Sequence, residues 1–194
     1  MKIDELALPG AYILTPKRFG DERGFFSETY NRAAFDEIAP GIEFVQDNHS
    51  MSRSAGVLRG LHFQLPPHAQ GKLVRVPRGR VLDVIVDLRV GSPTYGEHAS
   101  VELSADNWQQ LWVPAGFAHA FCTLEPDTEF CYKVTELYAP ASDSGIAYDD
   151  PDLGIDWPFD TDSLILSDKD RQLQAFKDFQ SPFNYGQKTH KKDQ

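Results

Sequence analysis

The stretch Gly56-Val57-Leu58-Arg59-Gly60-Leu61-His62-Phe63-Gln64 sets a cation, a titratable imidazole and an amide into one short apolar run. Leu58, Leu61 and Phe63 give it the makeup of a buried strand, and the flanking glycines suit a bend or a close backbone approach. A histidine held in such a setting can act as a base near neutral pH. A lone strand histidine is more often a core residue satisfied by one hydrogen bond. What argues for chemistry here is company, because Arg59, Lys72, Asp83, His119 and Tyr132 all sit in or beside similar runs. Arg59 and His62 are three apart, so an ideal strand turns them to opposite faces; a bend, with Gly60 as its place, is required for both to serve one pocket.

Outward from this stretch the chain reads mainly as strands. Residues 12–14, 24–30, 44–51, 57–64, 72–76, 80–88, 98–103, 110–113, 118–124 and 129–137 are short runs set off by Pro, Gly, Asp or Ser. Helix signals are confined to residues 31–38, closed by Pro40 and Gly41, and to residues 169–179. Many short strands with frequent turns predict an all-β antiparallel barrel or sandwich with a few short helices. No internal repeat is visible. A single domain is expected over residues 1–180, followed by a polar tail, 181–194, expected to be loosely ordered.

Alternation orients two of the runs. Along residues 81–88, Leu82, Val84, Val86 and Leu88 share one face, and Val81, Asp83, Ile85 and Asp87 share the other. Asp83 on a mostly apolar face needs a partner, either in a structural ion pair or as a group that orients a catalytic histidine or lysine. Pro126-Asp127 reads as a two-residue hairpin loop, which places Phe121 opposite Tyr132 and His119 opposite Val134, with His119 and Tyr132 on one face. A phenol beside an imidazole in one cavity is a plausible proton donor. The same hairpin would let Cys122 and Cys131, the two cysteines of the chain, face each other, so a disulfide stays open, although two cysteines make no disulfide framework.

Composition sets outer bounds. With 194 residues, 41% of them hydrophobic and 25% charged, the chain has the makeup of a soluble globular protein. Its 29 acidic against 19 basic residues argue against nucleic acid as a partner. An anionic ligand must therefore meet a local basic cluster. No run is long enough to span a bilayer and none has the build of a leader segment, so a cytoplasmic protein without membrane partners is expected.

Pro114-Ala-Gly-Phe-Ala-His119 has the Pro-x-Gly-x-x-His spacing of the second motif of the cupin superfamily, which are small double-sheet barrels with a site inside. In metal-binding cupins the first motif resembles His-x-His followed by Glu. Here the comparable run is His62-Phe63-Gln64, with Lys72 further on and no Glu from residue 45 to residue 83. A lysine near the centre would repel a cation, so a metal-free site is expected.

Read together, the chain resembles the dTDP-4-dehydrorhamnose 3,5-epimerase family, from about Gly10 to Asp170. The motifs that carry the resemblance are Asp21-Glu-Arg-Gly-Phe-Phe26 with Glu28, Gln46-Asp-Asn-His-Ser50, the opening stretch from Gly56 to Gln64, Gly71-Lys-Leu-Val74, Gly116-Phe-Ala-His119, Tyr132-Lys133, Tyr138-Ala-Pro140 and Asp149-Asp-Pro151. The resemblance implies a cupin-like jelly-roll barrel that works as a homodimer, needs no cofactor, and removes and returns protons on either side of the ketone of a nucleotide-linked 4-keto-6-deoxyhexose. It implies His62 as base, Asp170 as the group that holds and polarises it, Tyr132 as the acid on the opposite face, and Lys72 near the ketone oxygen. Arg59, Arg23 and His119 match positions that hold the diphosphate and sugar. Gln46, Asn48 and Glu28 match nucleoside contacts, with Phe26 beside them and Tyr138 where a ring stacks on the base. Some of the N-terminal positions are implied to come from the neighbouring subunit. Asp143 stands where the family pattern has Glu, and Tyr148 where it has Trp; Asp168-Lys169 leaves open which residue reaches the nucleotide, with Asp143 and Lys169 taken as substrate contacts. A relative that epimerises one carbon only, a metal-dependent cupin enzyme and a non-catalytic sugar-nucleotide sensor are the alternatives.

Overall fold

The computed structural model describes residues 1–186. Thirteen strands follow one another as β1 (Lys2–Glu5), β2 (Tyr12–Thr15), β3 (Arg18–Asp21), β4 (Gly24–Ser27), β5 (Gln46–Ser52), β6 (Leu58–Gln64), β7 (Lys72–Arg78), β8 (Arg80–Asp87), β9 (His98–Ser104), β10 (Gln110–Val113), β11 (Phe117–Thr123), β12 (Thr128–Val134) and β13 (Asp143–Gly145), with the short helix α1 (Arg32–Phe35) between β4 and β5. A six-stranded sheet runs β1-β2-β10-β7-β12-β5 and a five-stranded sheet runs β13-β6-β11-β8-β9, while β3 and β4 form a separate hairpin. Every strand pairing within the sheets is antiparallel. The chain is thus a cupin-like double-sheet jelly roll, as expected.

Three apolar layers hold it. Between the sheets, Val74 and Val76 of β7 and Phe130 of β12 meet Val81 and Ile85 of β8 and Phe121 of β11. On the outer side of the five-stranded sheet, Leu58, Leu61, Phe63, Val84 and Val86 are covered by Ile146, Tyr148, Trp157, Leu164 and Phe183 from the C-terminal third. Outside the six-stranded sheet, Phe35 of α1 packs with Leu14, Leu73 and Trp112. The two faces read from residues 81–88 are therefore both apolar for a reason: the five-stranded sheet is buried on both sides. Burying a large side chain such as Phe35 or Leu61 contributes about 1.5–3 kcal/mol.

The structure corrects several expectations. β11 and β12 are not a hairpin: β11 is already paired on both edges, by β6 and β8, and β12 lies between β7 and β5 in the other sheet. Phe121 instead stacks on Phe130 across the interior, with ring centroids 4.0 Å apart. Cys122 and Cys131 consequently lie in different sheets as free thiols. The helix expected over residues 31–38 is one turn, capped where Asn31 Oδ1 accepts from the Ala34 amide at 3.2 Å. The helix expected over residues 169–179 is absent. Two 3₁₀ turns stand there, Asp170–Gln172 and Phe176–Asp178. Tertiary bonds explain why: the Gln174 carbonyl accepts from the Ala147 amide at 2.8 Å, and the Phe176 amide donates to Asp150 Oδ2 at 2.6 Å. Residues 181–186, expected to be loose, are pinned by Phe183, which is buried, and by amide bonds between Val90 and the strand-like run at Phe183 and Tyr185. The rest of that expected tail lies outside the described residues. Among the described residues no helix is long and apolar enough to cross a membrane.

Candidate active site

Strand geometry brings the polar residues of the opening stretch inward. Leu58, Leu61 and Phe63 face the outer apolar layer, and Arg59 and His62 face the interior. Two residues, Gly60 and Leu61, separate these inward positions, and the register of β6 against β11 shifts at the same place. This is the bend that parity demanded. Gly60 has φ +128, and a Cβ added there would lie 2.5 Å from the Ala120 side chain, so only glycine fits.

The result is a cavity of about 230 Å³ between the sheets, lined among others by Arg59, His62, Lys72, His119, Tyr132, Tyr138, Asp143 and Lys169. His62 and His119 are Cα partners across β6 and β11. Tyr132 and Lys72 come from the opposite sheet, where Lys72 pairs with Val134, two residues along from Tyr132 and on the same face. Imidazole and phenol therefore stand on opposing walls.

Behind His62 lies Asp170. The His62 Nε2 to Asp170 Oδ1 distance is 2.5 Å, and the carboxylate side chain is only 4% exposed against 29% for the imidazole. The approach is close without being aligned as a linear hydrogen bond. Burial opposes the charge on Asp170, but the close His62 imidazole together with the Ser167 hydroxyl outweighs it and holds the carboxyl below its usual range. Asp170 is an anion at neutral pH.

Lys72 donates to the His62 carbonyl at 3.3 Å. Burial brings its ammonium down to about 8, against the attraction of Asp83 and Asp143. Asp83 is fully buried and accepts from His119 Nε2 at 2.9 and 3.0 Å. Burial lowers His119 and raises Asp83, each opposed by the other's charge. The partner that Asp83 needs is thus a cavity histidine, a pairing that fits both roles expected for it. For Tyr132, burial raises the phenol and Arg59 partly counters it, so the phenol keeps its proton.

At the mouth, Tyr138 donates to Asp143 Oδ2 at 3.0 Å, and Lys169 forms an ion pair with the same oxygen. That bond to Asp143 raises the Tyr138 phenol. Lys169 lines the cavity and Asp168 does not. Tyr148 is a core residue whose carbonyl accepts from the Trp157 indole at 2.9 Å, and it takes no part in the site.

Asp170 and Asp83 stand behind the lining, and five of the expected substrate contacts stay outside it. Arg23 pairs with Asp21 in the β3–β4 hairpin with 84% of its side chain exposed, Phe26 is 69% exposed, and Glu28 accepts from Asn31 Nδ2 at 3.0 Å. Gln46 donates to Asn48 at 2.8 Å on the inward face of edge strand β5, where Ser50 reaches the cavity. Ser50, Gln70, Phe121 and Phe130 were not singled out for the site, although period-two alternation from Asn48, His119 and Tyr132 points to all but Gln70. Gln64, quoted only as an amide, ties the cavity rim together: it donates to the His68 and Leu137 carbonyls at 2.8 and 3.1 Å and accepts from the Ala139 amide at 2.8 Å. Ser167, which lies beside Asp170 in sequence and has no role predicted for it, donates to Asp170 Oδ2 at 2.6 Å. Among the described residues no three His, Cys, Asp or Glu side chains are grouped to hold a metal ion.

Residues 5–178 match the family model described as dTDP-4-dehydrorhamnose 3,5-epimerase. A dTDP-4-dehydrorhamnose 3,5-epimerase of Pseudomonas aeruginosa is 52% identical over 179 residues, which span 92% of this chain and 97% of that one. Among solved structures, the dTDP-6-deoxy-D-glucose-3,5-epimerase of Legionella pneumophila in complex with dTDP-4-keto-L-rhamnose is 43% identical with TM-score 0.90, covering 95% of this chain and 98% of that one. A 3'-monoepimerase of Streptomyces bikiniensis in complex with dTDP-quinovose is 35% identical with TM-score 0.81, covering 88% of this chain and 85% of that one.

Proposed function

The chain belongs to the dTDP-4-dehydrorhamnose 3,5-epimerase family, and from that premise we propose how its cavity carries out the reaction. The protein is an isomerase that inverts C3 and C5 of dTDP-4-dehydro-6-deoxy-D-glucose to give dTDP-4-dehydro-L-rhamnose, in dTDP-L-rhamnose biosynthesis. The 4-ketone acidifies the hydrogens on both neighbouring carbons. His62 takes the proton, the C–H electron pair moves into an enolate, and Asp170 stabilises the imidazolium that forms. Lys72 supplies positive charge to the enolate oxygen. Tyr132 then delivers its proton to the opposite face of the carbon; solvent takes the proton from His62 and restores the phenol, so that the pair can act on the second carbon. No external electron sink is required, since the substrate's own ketone plays that part.

The observation that carries this reading is the placement of His62 and Tyr132 on facing sheets, since inversion requires that the proton leave from one side of the ring and return from the other. Arg59, His119 and Lys169 at the cavity suit the diphosphate and sugar, and the exposed Tyr138 ring at the mouth suits stacking on the base. We assign Arg23, Phe26, Glu28, Gln46 and Asn48 to the nucleotide site of a neighbouring subunit in a homodimer. This would place the exposed Phe19, Phe25 and Phe26 of the β3–β4 hairpin against a second copy. The described residues act as one domain in this reading, with Phe183 beyond the expected boundary at 180 packed in its core. A cytoplasmic location suits a charged nucleotide-sugar substrate and two free thiols.

The test is NMR of the product made from dTDP-4-keto-6-deoxyglucose. Inverted configuration at both C3 and C5 is expected, and inversion at one carbon alone would contradict the two-carbon reaction.

A further inference from the structure

Asp170 has two carboxylate oxygens, and the fold gives them different partners. Oδ1 meets His62 Nε2 at 2.5 Å, while Oδ2 accepts from the Ser167 hydroxyl at 2.6 Å. The same Ser167 oxygen accepts from the Asp170 amide at 3.2 Å, and the Arg171 amide donates to the Ser167 carbonyl at 3.3 Å. One serine side chain thus fixes both the backbone entry and the rotamer of a buried carboxylate. Asp170 begins a 3₁₀ turn with no side-chain cap of its own, so these bonds hold the carboxylate in place.

We propose that Ser167 is a positioning residue for proton abstraction: by occupying Oδ2 it turns Oδ1 toward His62 and removes part of the carboxylate charge that the imidazolium would otherwise feel. The inference rests on His62 as the base. The two effects pull differently. Orientation speeds abstraction, because a misplaced partner loses the near-attack geometry. Charge withdrawal keeps His62 from holding its proton too tightly, so that the neutral base is available at lower pH. Without the hydroxyl, the rate falls and the acid limb of the rate profile moves to higher pH. The other charged or titratable groups at the cavity are Arg59 on the same strand, Lys72 and Tyr132 from the opposite sheet, His119 across β11 with Asp83 behind it, and Asp143 and Lys169 at the mouth. None of them is bonded to Asp170 Oδ2, so a shift produced by replacing Ser167 reports on that oxygen.

Ser167 itself is exposed at the surface, and alanine there leaves no cavity. The experiment compares Ser167→Ala, Ser167→Thr and Asp170→Asn in the full chain, by thermal melting and by kcat and kcat/KM across pH with dTDP-4-keto-6-deoxyglucose. Ser167→Ala is expected to melt like the parent and keep its KM, to lose about tenfold in kcat, and to shift the acid limb upward, while Ser167→Thr, which keeps the hydroxyl, restores rate and profile. A Ser167→Ala protein with parental kcat and an unmoved acid limb, or equal losses in Ala and Thr, would overturn the proposal. If Asp170→Asn is inactive in that case, the carboxylate's support of His62 stands and only the role of Ser167 falls; if Asp170→Asn is fully active, the role of Asp170 falls with it, and His62→Ala decides separately whether His62 is the base.

Discussion

Arg59 and His62 turn their side chains into the same cavity although they stand three apart on one strand, because β6 carries an extra residue at Gly60. The phosphate-binding candidate and the base candidate are thus fixed relative to one another by a backbone feature, not by contacts between their side chains.

Gly60→Ala should break that relation. Its new Cβ would sit 2.5 to 2.6 Å from Ala120 and the His119 carbonyl, at φ +128. Strain and overpacking together should cost about 2–5 kcal/mol. Denaturant melts should show the loss, and whatever folded fraction remains should have a reduced kcat.

Lys72 should set an alkaline limb. Its ammonium titrates at about 8 in the folded protein. Above that pH the charge facing the enolate disappears, so kcat/KM should fall as pH rises through about 8. Bound diphosphate sugar favours the charged form, so the corresponding limb in kcat should lie higher. A flat kcat/KM from neutrality to well above this value would remove Lys72 from the role.

The same shift has a stability consequence of opposite sense. Between about 8 and the ordinary 10.5 the unfolded chain binds a proton that the folded chain has released. Stability contributed by this group therefore rises with pH across that window. Lys72→Met should melt a few degrees higher near neutral pH, the change expected for about 1 kcal/mol in a chain of this size, while losing turnover.

The proposed assignment of Arg23 to a neighbouring subunit's site is open to complementation. His62→Ala and Arg23→Ala homodimers should each be impaired. Mixed and allowed to exchange subunits, they should regain roughly a quarter of parental activity, because half of the dimers then carry one intact site. No recovery on confirmed mixing would place Arg23 in its own subunit's site or in none.

Much of this was legible in residue order. Period-two alternation located the inward face of β8 and left Asp83 in need of a partner, which proved to be His119. The parity conflict between Arg59 and His62 points to Gly60, where the strand does bend. What alternation cannot supply is sheet membership: nothing local to residues 118–134 says that β11 has both edges taken, so the hairpin reading was natural and wrong. The supposed helix at residues 169–179 failed for a related reason. Its helix-compatible composition is overridden by bonds to Ala147 and Asp150, which lie more than twenty residues away. No role for Ser167 is legible in the sequence, because its bond depends on a rotamer of Asp170, which only coordinates reveal.

The central claim is that His62 removes the proton and Tyr132 returns it from the facing sheet. Proton NMR of dTDP-4-keto-6-deoxyglucose in deuterated water, with the parent, His62→Ala and Tyr132→Phe run side by side, tests it most directly. The parent should take up deuterium at C3 and C5 with inversion, His62→Ala should show no uptake at either carbon, and Tyr132→Phe should keep some exchange without correct inversion. Uptake and inversion at both carbons by His62→Ala at the parental rate would contradict the account.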